Sequence, residues 1–245
     1  MIKLKALVDT IAKKQPKQSS DLPEGKKHYV DKGRVYQVDE IKTTTNNHLF
    51  VTLSYGAGDW YFYKPHVEVE HLELVTRDQL KQIMPYAEDY LIDRYLEPIN
   101  KTLQEFDINT KKRIAAFLAQ LAHESGSLRY NEEIASGVAY EGRGDLGNVI
   151  SGDGKRYKGR GLIQLTGRYN YRKYGKILGV SLEANPEMAT EPLLSARIAG
   201  AYWNENGLNY YADRGQFREI TRRINGGFNG LRDRYKYYNR ALNVL

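Results

Sequence analysis

AAFLAQLAHESG, at residues 115–126, is the most strongly patterned segment of the chain. Apolar side chains in and just before it recur at i, i+3, i+4 and i+7, the spacing of a helix with one buried face. These side chains are Ile114, Phe117, Leu118 and Leu121. We expect the helix to begin after an N-cap at Asn109-Thr110, to end on Glu124 and to stop at Gly126. Continuing the period places Glu124 on the inward face.

An inward-facing acid at a helix C-terminus has an unfavourable ionised form. Partial burial removes water from the charge, and the helix end presents the negative pole of the macrodipole. A carboxylic acid that keeps its proton is what a glycosidase uses as its general acid. The ordinary alternative for Glu124 is a salt-bridged glutamate at a helix end. The neighbouring His123 points about 100° away around the helix and is expected to be structural.

A second patterned segment is YKGRGLIQLTGRYNY, at residues 157–171. Its glycines permit tight backbone turns. Gln164 and Thr166 are two residues apart, so in an extended segment they share a face, opposite Ile163 and Leu165. We expect one face to pack inward and the other to offer polar groups to a cleft. A buried turn with satisfied amides is the alternative.

A hydrolase that inverts configuration needs a second carboxylate to activate water, with the two carboxyl groups roughly 6.5–9.5 Å apart. The loop between the two segments supplies three candidates, and spacing alone does not rank them. They are Glu132, Glu133 and Glu141. Further along, Asn225 could bind an acetamido group and Arg234 could pair with a carboxylate. Capping or decorating a helix is the commoner fate of such residues.

Composition excludes several kinds of site. The 245 residues include no cysteine, so disulfides and thiolate metal sites are ruled out. The zinc pattern H-E-x-x-H fails after His123 because Ser127 stands in the second histidine position. We therefore expect no metal and no cofactor. No apolar window approaches the roughly 18 residues of a membrane span, and Lys3 and Lys5 interrupt any apolar export signal at the start.

The charge is basic, at +7, and it is concentrated. Residues 143–176 hold nine basic side chains against Asp145 and Asp153. Such a field attracts polyanions, and nucleic acid, anionic lipid and bacterial cell wall all qualify. A solubilising surface is the plain alternative.

The sequence pattern changes near residue 75, which predicts a multidomain chain with units 1–75 and 76–245. The first holds short alternating runs rich in β-branched and aromatic residues, typical of a small antiparallel β-barrel of the SH3-like class. The second has helical periodicity. Alternation within WYFY, residues 60–63, would bury two of the four aromatic rings and expose the others as a platform for sugar rings or peptide. The candidate cell-wall-binding residues are Trp60, Tyr61 and Tyr63.

AFLAQLAHESGSLRYNEE, YKGRGLIQLTGRYNY and the later RINGG and DR together resemble glycoside hydrolase family 19, a chitinase-like group that includes many bacteriophage endolysins. The resemblance covers about residues 110–242. It implies a mainly α-helical, lysozyme-like two-lobed catalytic domain that hydrolyses β-1,4-linked N-acetylated sugars with inversion. The plant members' disulfides have no counterpart, and EGRGDLGN at 141–148 replaces their longer loops.

Carried over by motif, Glu124 matches the general acid, Glu133 matches the base, and Thr166 takes the place of the residue that holds the attacking water. The candidate substrate-binding residues are Gln164, Asn170, Tyr171, Asn225, Arg234 and Glu141.

The sequence thus predicts a monomeric peptidoglycan hydrolase, a phage endolysin, that binds the polyanionic bacterial cell wall and cuts its glycan backbone. We expect it to remain in the host cytoplasm until released to the wall, with no nucleic-acid partner and no membrane insertion. A lytic transglycosylase and a chitinase acting on chitin oligomers are the alternatives within enzymes. A non-catalytic wall-binding protein and a nucleic-acid binder are alternatives from other classes.

Overall fold

A computed structural model describes residues 2–71 and 73–245. Contacts between Cα atoms divide the chain into two compact units. The first, which ends at Glu73, is called the N-terminal sheet unit, and the second, Leu74–Leu245, is called the helical unit.

The N-terminal sheet unit contains one antiparallel sheet of seven strands in the order β3-β2-β6-β5-β4-β1-β7. The strands are β1 Ile2–Ala6, β2 Thr10–Lys13, β3 Lys27–Val30, β4 Val35–Thr45, β5 His48–Leu53, β6 Gly58–Tyr63 and β7 Val67–His71. A short 3-10 turn, Lys64–His66, joins β6 to β7. Apolar side chains from alternate strand positions, including Leu4, Val51 and Phe62, form the core of this unit.

The predicted SH3-like barrel is wrong, because the sheet is open. Within the described residues, β3 and β7 lie at opposite edges and do not pair with each other, so the sheet does not close. β1 inserts between β4 and β7, and its inward residues Leu4 and Ala6 follow the two-residue alternation that IKLKA displays.

The helical unit is built around α3, in which every residue from Ile114 through Ala122 is buried. The helices are α1 Arg77–Ile83, α2 Asp89–Glu105, α3 Lys111–Glu124, α4 Asp153–Arg156, α5 Arg168–Leu178, α6 Pro192–Glu205, α7 Leu208–Asp213, α8 Phe217–Asn225 and α9 Leu231–Val244. Short 3-10 turns at Val138–Tyr140, Gly144–Leu146 and Pro186–Thr190 interrupt the loops. None of the described helices is long and apolar enough to cross a bilayer.

The predicted bounds of α3 are confirmed. The Thr110 side chain caps its start by accepting a hydrogen bond from the Arg113 amide, and the helix ends on Glu124. At the C-terminus the Ser125 hydroxyl donates to the Leu121 carbonyl oxygen over 2.7 Å. His123 lies 2.8 Å from an Asp233 carboxylate oxygen through its Nδ1, which ties the end of α3 to the start of α9. The structural role expected for His123 follows from this contact.

Candidate active site

Glu124 is held by a buried arginine from the last helix. Its side chain is 26% exposed, and Arg234, with a side chain only 1% exposed, donates from Nη2 to Glu124 Oε1 over 2.6 Å. The other arm of the same guanidinium donates to Gln120 Oε1. Gln120 in turn donates to the Thr221 hydroxyl over 3.0 Å. Side chains from α3, α8 and α9 therefore fix the orientation of Glu124, and the ion pair that the sequence suggested for Arg234 is present.

A cavity of about 120 Å³ opens beside Glu124. Asn225, at the end of α8, lines it as the sequence suggested, together with Ile163, Tyr202 and Trp203. Burial raises the pKa of Tyr202, and the negative charge of Glu124 raises it further. The Tyr202 hydroxyl thus keeps its proton beside the acid. Sequence reasoning missed this aromatic pair, although two adjacent aromatic residues in a helix of small side chains were a usable signal.

Glu133 has a different environment, made of uncharged donors. Its Oε1 accepts from the Tyr140 hydroxyl over 3.1 Å, and its Oε2 accepts from the Gly159 amide over 3.1 Å. The nearby Lys158 ammonium donates to the Glu133 backbone carbonyl, not to its carboxylate. The pKa of Tyr140 is raised by burial and then by its hydrogen bond to Glu133.

The other two candidate carboxylates are committed to structural contacts. Glu132 pairs with Arg160 Nε at 3.0 Å and with Lys158 Nζ at 3.2 Å. Both oxygens of Glu141 accept backbone N–H groups at the start of α4, from Gly152 and Gly154. A carboxylate at a helix N-terminus is stabilising there. The structure therefore assigns Glu141 to holding the loop onto α4 instead of to the substrate surface predicted for it.

The segment after Gly159 is a tight turn, the alternative that the sequence left open, and not the expected extended segment. Arg160 and Leu165 exchange backbone hydrogen bonds in both directions, of 3.1 Å and 2.7 Å. Closing the turn requires a left-handed backbone at Gly161, with φ +77°, and at Gln164, with φ +53°. The Gln164 side-chain nitrogen donates to the Gly161 carbonyl oxygen. The predicted sharing of one face by two alternate residues is therefore replaced by turn geometry.

Gly159 is the point where Gln164 and Glu133 come together. A Cβ atom added at Gly159 would lie 2.8 Å from Gln164 Oε1 and 3.2 Å from Glu133 Oε2. Ile163, the residue before Gln164, lines the cavity of Glu124. The turn of residues 159–166 thus contacts the surroundings of both carboxylates.

Thr166 and the residues that follow it divide into two groups. The Thr166 hydroxyl donates to the Gln164 carbonyl oxygen over 2.8 Å, which leaves its own oxygen as an acceptor. Asn170 uses its side-chain nitrogen to hold the Thr166 carbonyl oxygen. Tyr171, in contrast, is fully buried and donates its hydroxyl to the Lys158 carbonyl oxygen. Burial raises the pKa of Tyr171 to about 12, and the structure places it in the core instead of at the predicted substrate surface.

The aromatic residues of β6 lie in different environments. Trp60 packs against the core of the N-terminal sheet unit, and the Lys14 ammonium covers its ring at 3.5 Å from the centroid. Trp60 is thus not part of an open platform. Tyr61 pairs across the sheet with Phe50, and their rings stack 4.2 Å apart. Tyr63 alternates onto the same side as Tyr61, and it lines a cavity of its own.

Taken together, the helical unit offers acid–base and hydrogen-bonding groups. In the described part of the chain, no three His, Asp or Glu side chains are grouped so that they could hold a metal ion. One carboxylate is bound by a guanidinium and the other by neutral donors, and a polar turn bearing Gln164 and Thr166 lies against the surroundings of both. This arrangement can donate a proton at one point and accept one at another.

Comparisons with known proteins agree with this chemistry. The family profile described as chitinase class I matches residues 99–210. A glycosyl hydrolase family 19 domain-containing protein of Haemophilus influenzae is 31% identical over 202 residues, covering 70% of this chain and 96% of that protein. An endochitinase of Arabidopsis thaliana is 44% identical over 118 residues, covering 48% of this chain and 40% of that protein. The chain spans less than half of that plant relative's length.

The crystal structure of chitinase C from Streptomyces griseus superposes with a TM-score of 0.60 at 25% identity, covering 70% of this chain and 92% of that one. This likeness corrects the predicted fold class. The fold is chitinase-like, with a sheet and helices, instead of an SH3-like barrel joined to a lysozyme-like two-lobed domain. The predicted assignment to a glycosidase is confirmed. The chain belongs to glycoside hydrolase family 19.

Proposed function

We propose that this protein hydrolyses the β-1,4 glycan backbone of bacterial peptidoglycan with inversion of configuration. The observation that carries the proposal is the unequal pair of carboxylates. Glu124 is bound by Arg234, whereas Glu133 is bound by the Tyr140 hydroxyl and the Gly159 amide. Family membership supplies the reaction class, and the charge distribution supports the choice of polymer.

In the proposed reaction Glu124 gives its proton to the glycosidic oxygen as the bond from that oxygen to the anomeric carbon breaks. A water held by the Thr166 hydroxyl forms the new bond from the opposite face, and Glu133 takes the proton that the water loses. The Tyr140 hydroxyl and the Gly159 amide hold the Glu133 carboxylate in place for this proton transfer. Arg234 and Gln120 hold the acid in place, and the product carries the inverted anomer.

The cavity beside Glu124 supports an N-acetylated substrate. At about 120 Å³ it is smaller than the roughly 300 Å³ at which pockets for whole ligands begin. It would therefore take a substituent of a sugar. Asn225 offers an amide, and Tyr202 and Trp203 offer aromatic surface, which together suit the acetamido group of an amino sugar.

A basic depression near α4 and α5 favours an anionic polymer over uncharged chitin. It encloses about 1160 Å³, and five basic side chains against two acidic ones give it a net charge of +3. The basic residues are Lys155, Arg156, Arg168, Arg172 and Lys176, and the acidic ones are Asp153 and Glu183. Peptidoglycan carries carboxylates on its peptides, so this surface would attract it, and added salt should weaken the attraction.

Digestion of purified peptidoglycan tests the proposal. We expect new reducing ends of full mass, and proton NMR of the fresh product should show the inverted anomer. Ends lighter by one water would instead identify a lytic transglycosylase. Absence of any cleavage of peptidoglycan would reject the proposed substrate.

Chitin oligomers are the second candidate substrate, favoured by the endochitinase relatives. The same two carboxylates would serve, because both polymers have β-1,4 bonds between N-acetylated sugars. The two candidate substrates can be distinguished by hydrolysis rates. One enzyme preparation should be assayed on chitin oligomers and on peptidoglycan, each at low and at high salt. A salt-insensitive preference for chitin oligomers would favour the chitinase.

We also propose that the N-terminal sheet unit holds the wall and that the enzyme acts in phage lysis from the host cytoplasm. Tyr61→Ala should reduce the fraction of protein that sediments with cell walls, whereas Tyr55→Ala, at a 90% exposed tyrosine, should not. Bacteria making the protein should lyse only when their inner membrane is opened. Equal sedimentation of both variants would reject the binding role.

A further inference from the structure

Two Asn-Gly pairs lie close together where α8 ends and α9 begins. They are Asn225-Gly226 and Asn229-Gly230, in the segment RINGGFNG at residues 223–230. Asparagine followed by glycine is prone to spontaneous deamidation, because glycine has no Cβ to obstruct attack by its backbone nitrogen on the asparagine side chain. The two pairs have the same chemistry, but the fold gives them different surroundings.

The first pair, Asn225-Gly226, is unrestrained. Asn225 is exposed and is the last residue of α8, and Gly226 follows in a left-handed backbone with φ +69°. Within residues 2–71 and 73–245, neither the Asn225 side-chain amide nor the Gly226 backbone N–H has a hydrogen-bond partner. A Cβ atom added at Gly226 or at Gly227 would meet no atom within 4 Å. Because helix ends fray, this end of α8 has both the freedom and the space to close a five-membered ring.

The second pair, Asn229-Gly230, is held on both sides. A Cβ atom added at Gly230 would lie 2.3 Å from two atoms of the His123 ring, so Gly230 is tightly packed. Gly230 is also the N-cap of α9, and its carbonyl oxygen accepts from the Arg234 amide over 2.9 Å. The Asn229 carbonyl oxygen accepts from Arg234 Nε at 3.4 Å. Ring closure at Asn229 would displace this backbone, so we expect Asn229 to react much more slowly than Asn225.

Deamidation of Asn225 needs only base and water. The Gly226 backbone nitrogen, once it has lost its proton, forms a bond to the side-chain carbonyl carbon of Asn225. The bond from that carbon to the amide nitrogen breaks, and the nitrogen leaves as ammonia after taking up a proton. Water then opens the resulting succinimide at either carbonyl, which gives aspartate or isoaspartate. The balance is one amide exchanged for one carboxylate, with nothing oxidised or reduced.

The new carboxylate would stand in the cavity beside Glu124, which Asn225 lines together with Ile163 and Trp203. An amide donates and accepts hydrogen bonds, whereas an ionised carboxylate only accepts. The altered side chain therefore loses the donor that suits the carbonyl oxygen of an acetamido group. It also adds a second negative charge beside Glu124, and like charges in one site disfavour each other. Both changes should weaken binding of an N-acetylated sugar.

We propose that Asn225 is a site of spontaneous deamidation, and that its conversion to aspartate or isoaspartate slows the cleavage of N-acetylated glycan as the protein ages. The loss of cleavage rests on the proposed function, whereas the modification itself does not. The exposed end of α8 then limits the working life of the enzyme.

Mass spectrometry of the native protein, aged at mildly alkaline pH, tests the modification. Trypsin releases residues 224–232 as one peptide that contains both pairs, so fragment ions compare them directly. We expect the carboxylate at Asn225 well before Asn229, and sooner at higher pH because the attacking nitrogen must lose its proton. In protein unfolded with urea the two should react at similar rates. An Asn225 that stays intact, or equal rates at both positions in the folded protein, would overturn the proposal.

Two aspartate variants test the consequence for cleavage. Asn225→Asp should lower kcat/KM on the N-acetylated glycan about tenfold, the equivalent of roughly 1.4 kcal/mol. Asn229→Asp is the matched control and should keep the parent's activity, because Asn229 does not line the cavity beside Glu124. Circular dichroism confirms that both variants fold. Equal activities of the two variants would refute the effect of deamidation on cleavage.

Asn225→Gln separates deamidation from other kinds of ageing. Glutamine keeps an amide but would have to close a six-membered ring, which is far slower. Whatever its starting rate, this variant should hold that rate during the incubation that inactivates the parent. Decay at the parent's pace would show that deamidation of Asn225 is not the cause. If fresh enzyme cleaves no glycan, the proposed function fails, whereas the peptide of residues 224–232 still reports the modification.

Discussion

Glu124 and Glu133 are the same kind of residue, yet their surroundings are opposite. Glu124 meets a guanidinium that is itself buried, and the guanidinium is shared with Gln120. Glu133 meets a phenol and a backbone amide, neither of which carries charge. The difference teaches that neighbours can give two residues of the same type distinct hydrogen-bonding environments. Each prediction below tests one side of that contrast.

The largest effect should come from Glu124→Gln. Glutamine keeps the shape and still accepts from Arg234, but it has no proton to give. We expect the rate to fall by about 10³-fold, within the range for loss of general acid–base catalysis. Glu132→Gln is the matched control, because Glu132 forms surface ion pairs with Arg160 and Lys158. Initial rates on peptidoglycan with unchanged unfolding temperatures are the measurement, and near-normal activity of Glu124→Gln would refute its role.

The next effect should come from Glu133→Ala, with a rate loss of about 10²-fold or more. Azide is an anionic nucleophile that needs no base, so sodium azide should attack in place of water, restore part of the activity and give a glycosyl azide with inverted configuration. Glu124→Ala should show no such recovery on the natural polymer, because azide cannot protonate the leaving oxygen. Mass spectrometry of the products distinguishes the two variants. Recovery of activity in both would contradict the assignment of Glu124 as the acid and Glu133 as the base.

A smaller effect is expected for Arg234→Lys. Lysine keeps the charge but lacks the planar fork that reaches Glu124 and Gln120 together. We expect stability to fall by roughly 1–3 kcal/mol, the cost of a buried group left unpaired, and the rate to fall several-fold. Arg197→Lys is the control, since Arg197 makes a two-pronged contact with Glu105 near the surface. Urea unfolding measures the stability of both variants. Equal losses of stability would contradict the proposed role of Arg234 in holding Glu124 and Gln120 together.

The smallest effect concerns Glu183, a purely structural carboxylate that serves as a reference. Hydrogen bonds from Arg172 and then from Arg168 lower the pKa of Glu183 from 4.5 to about 2. Its folded-state pKa lies below the unfolded value, so its stabilising contribution is complete above about pH 4.5 and disappears as the pH falls towards 2.

Glu183→Gln should therefore be less stable than the parent above pH 5, and the two should converge near pH 2. Unfolding temperatures recorded across that range make the comparison. A difference in unfolding temperature between Glu183→Gln and its parent that does not change with pH would contradict an ionic origin for the stabilisation by Glu183.

Local signals in the sequence predicted part of this site well. The start and the end of α3 follow from a threonine cap and an apolar repeat, both of which act within one or two turns. The position of Glu124 therefore came from the sequence pattern alone. Gln120, four residues before it, carried a further signal, since a lone amide on a buried helix face needs a partner.

Other features depend on contacts between distant residues and were not predicted. In the open sheet β1 lies between β4 and β7, and this order of strands is not encoded in their alternation. The turn places a left-handed backbone at Gln164, which is not a glycine, and the sequence does not indicate such a conformation there. Spacing could not separate Glu133 from Glu132 and Glu141, because their different hydrogen-bond partners come from Tyr140, Arg160 and the start of α4.

The contact between Arg234 and Glu124 joins residues 110 positions apart in the chain. A ribosome that has just finished α3 has made the acid but not the guanidinium that holds it. Until α9 has emerged and packed, the nascent polypeptide should lack an oriented proton donor. We therefore expect the ability to cut glycan to arise abruptly once α9 has been made, and chains arrested at residue 230 to be inert in a coupled translation assay.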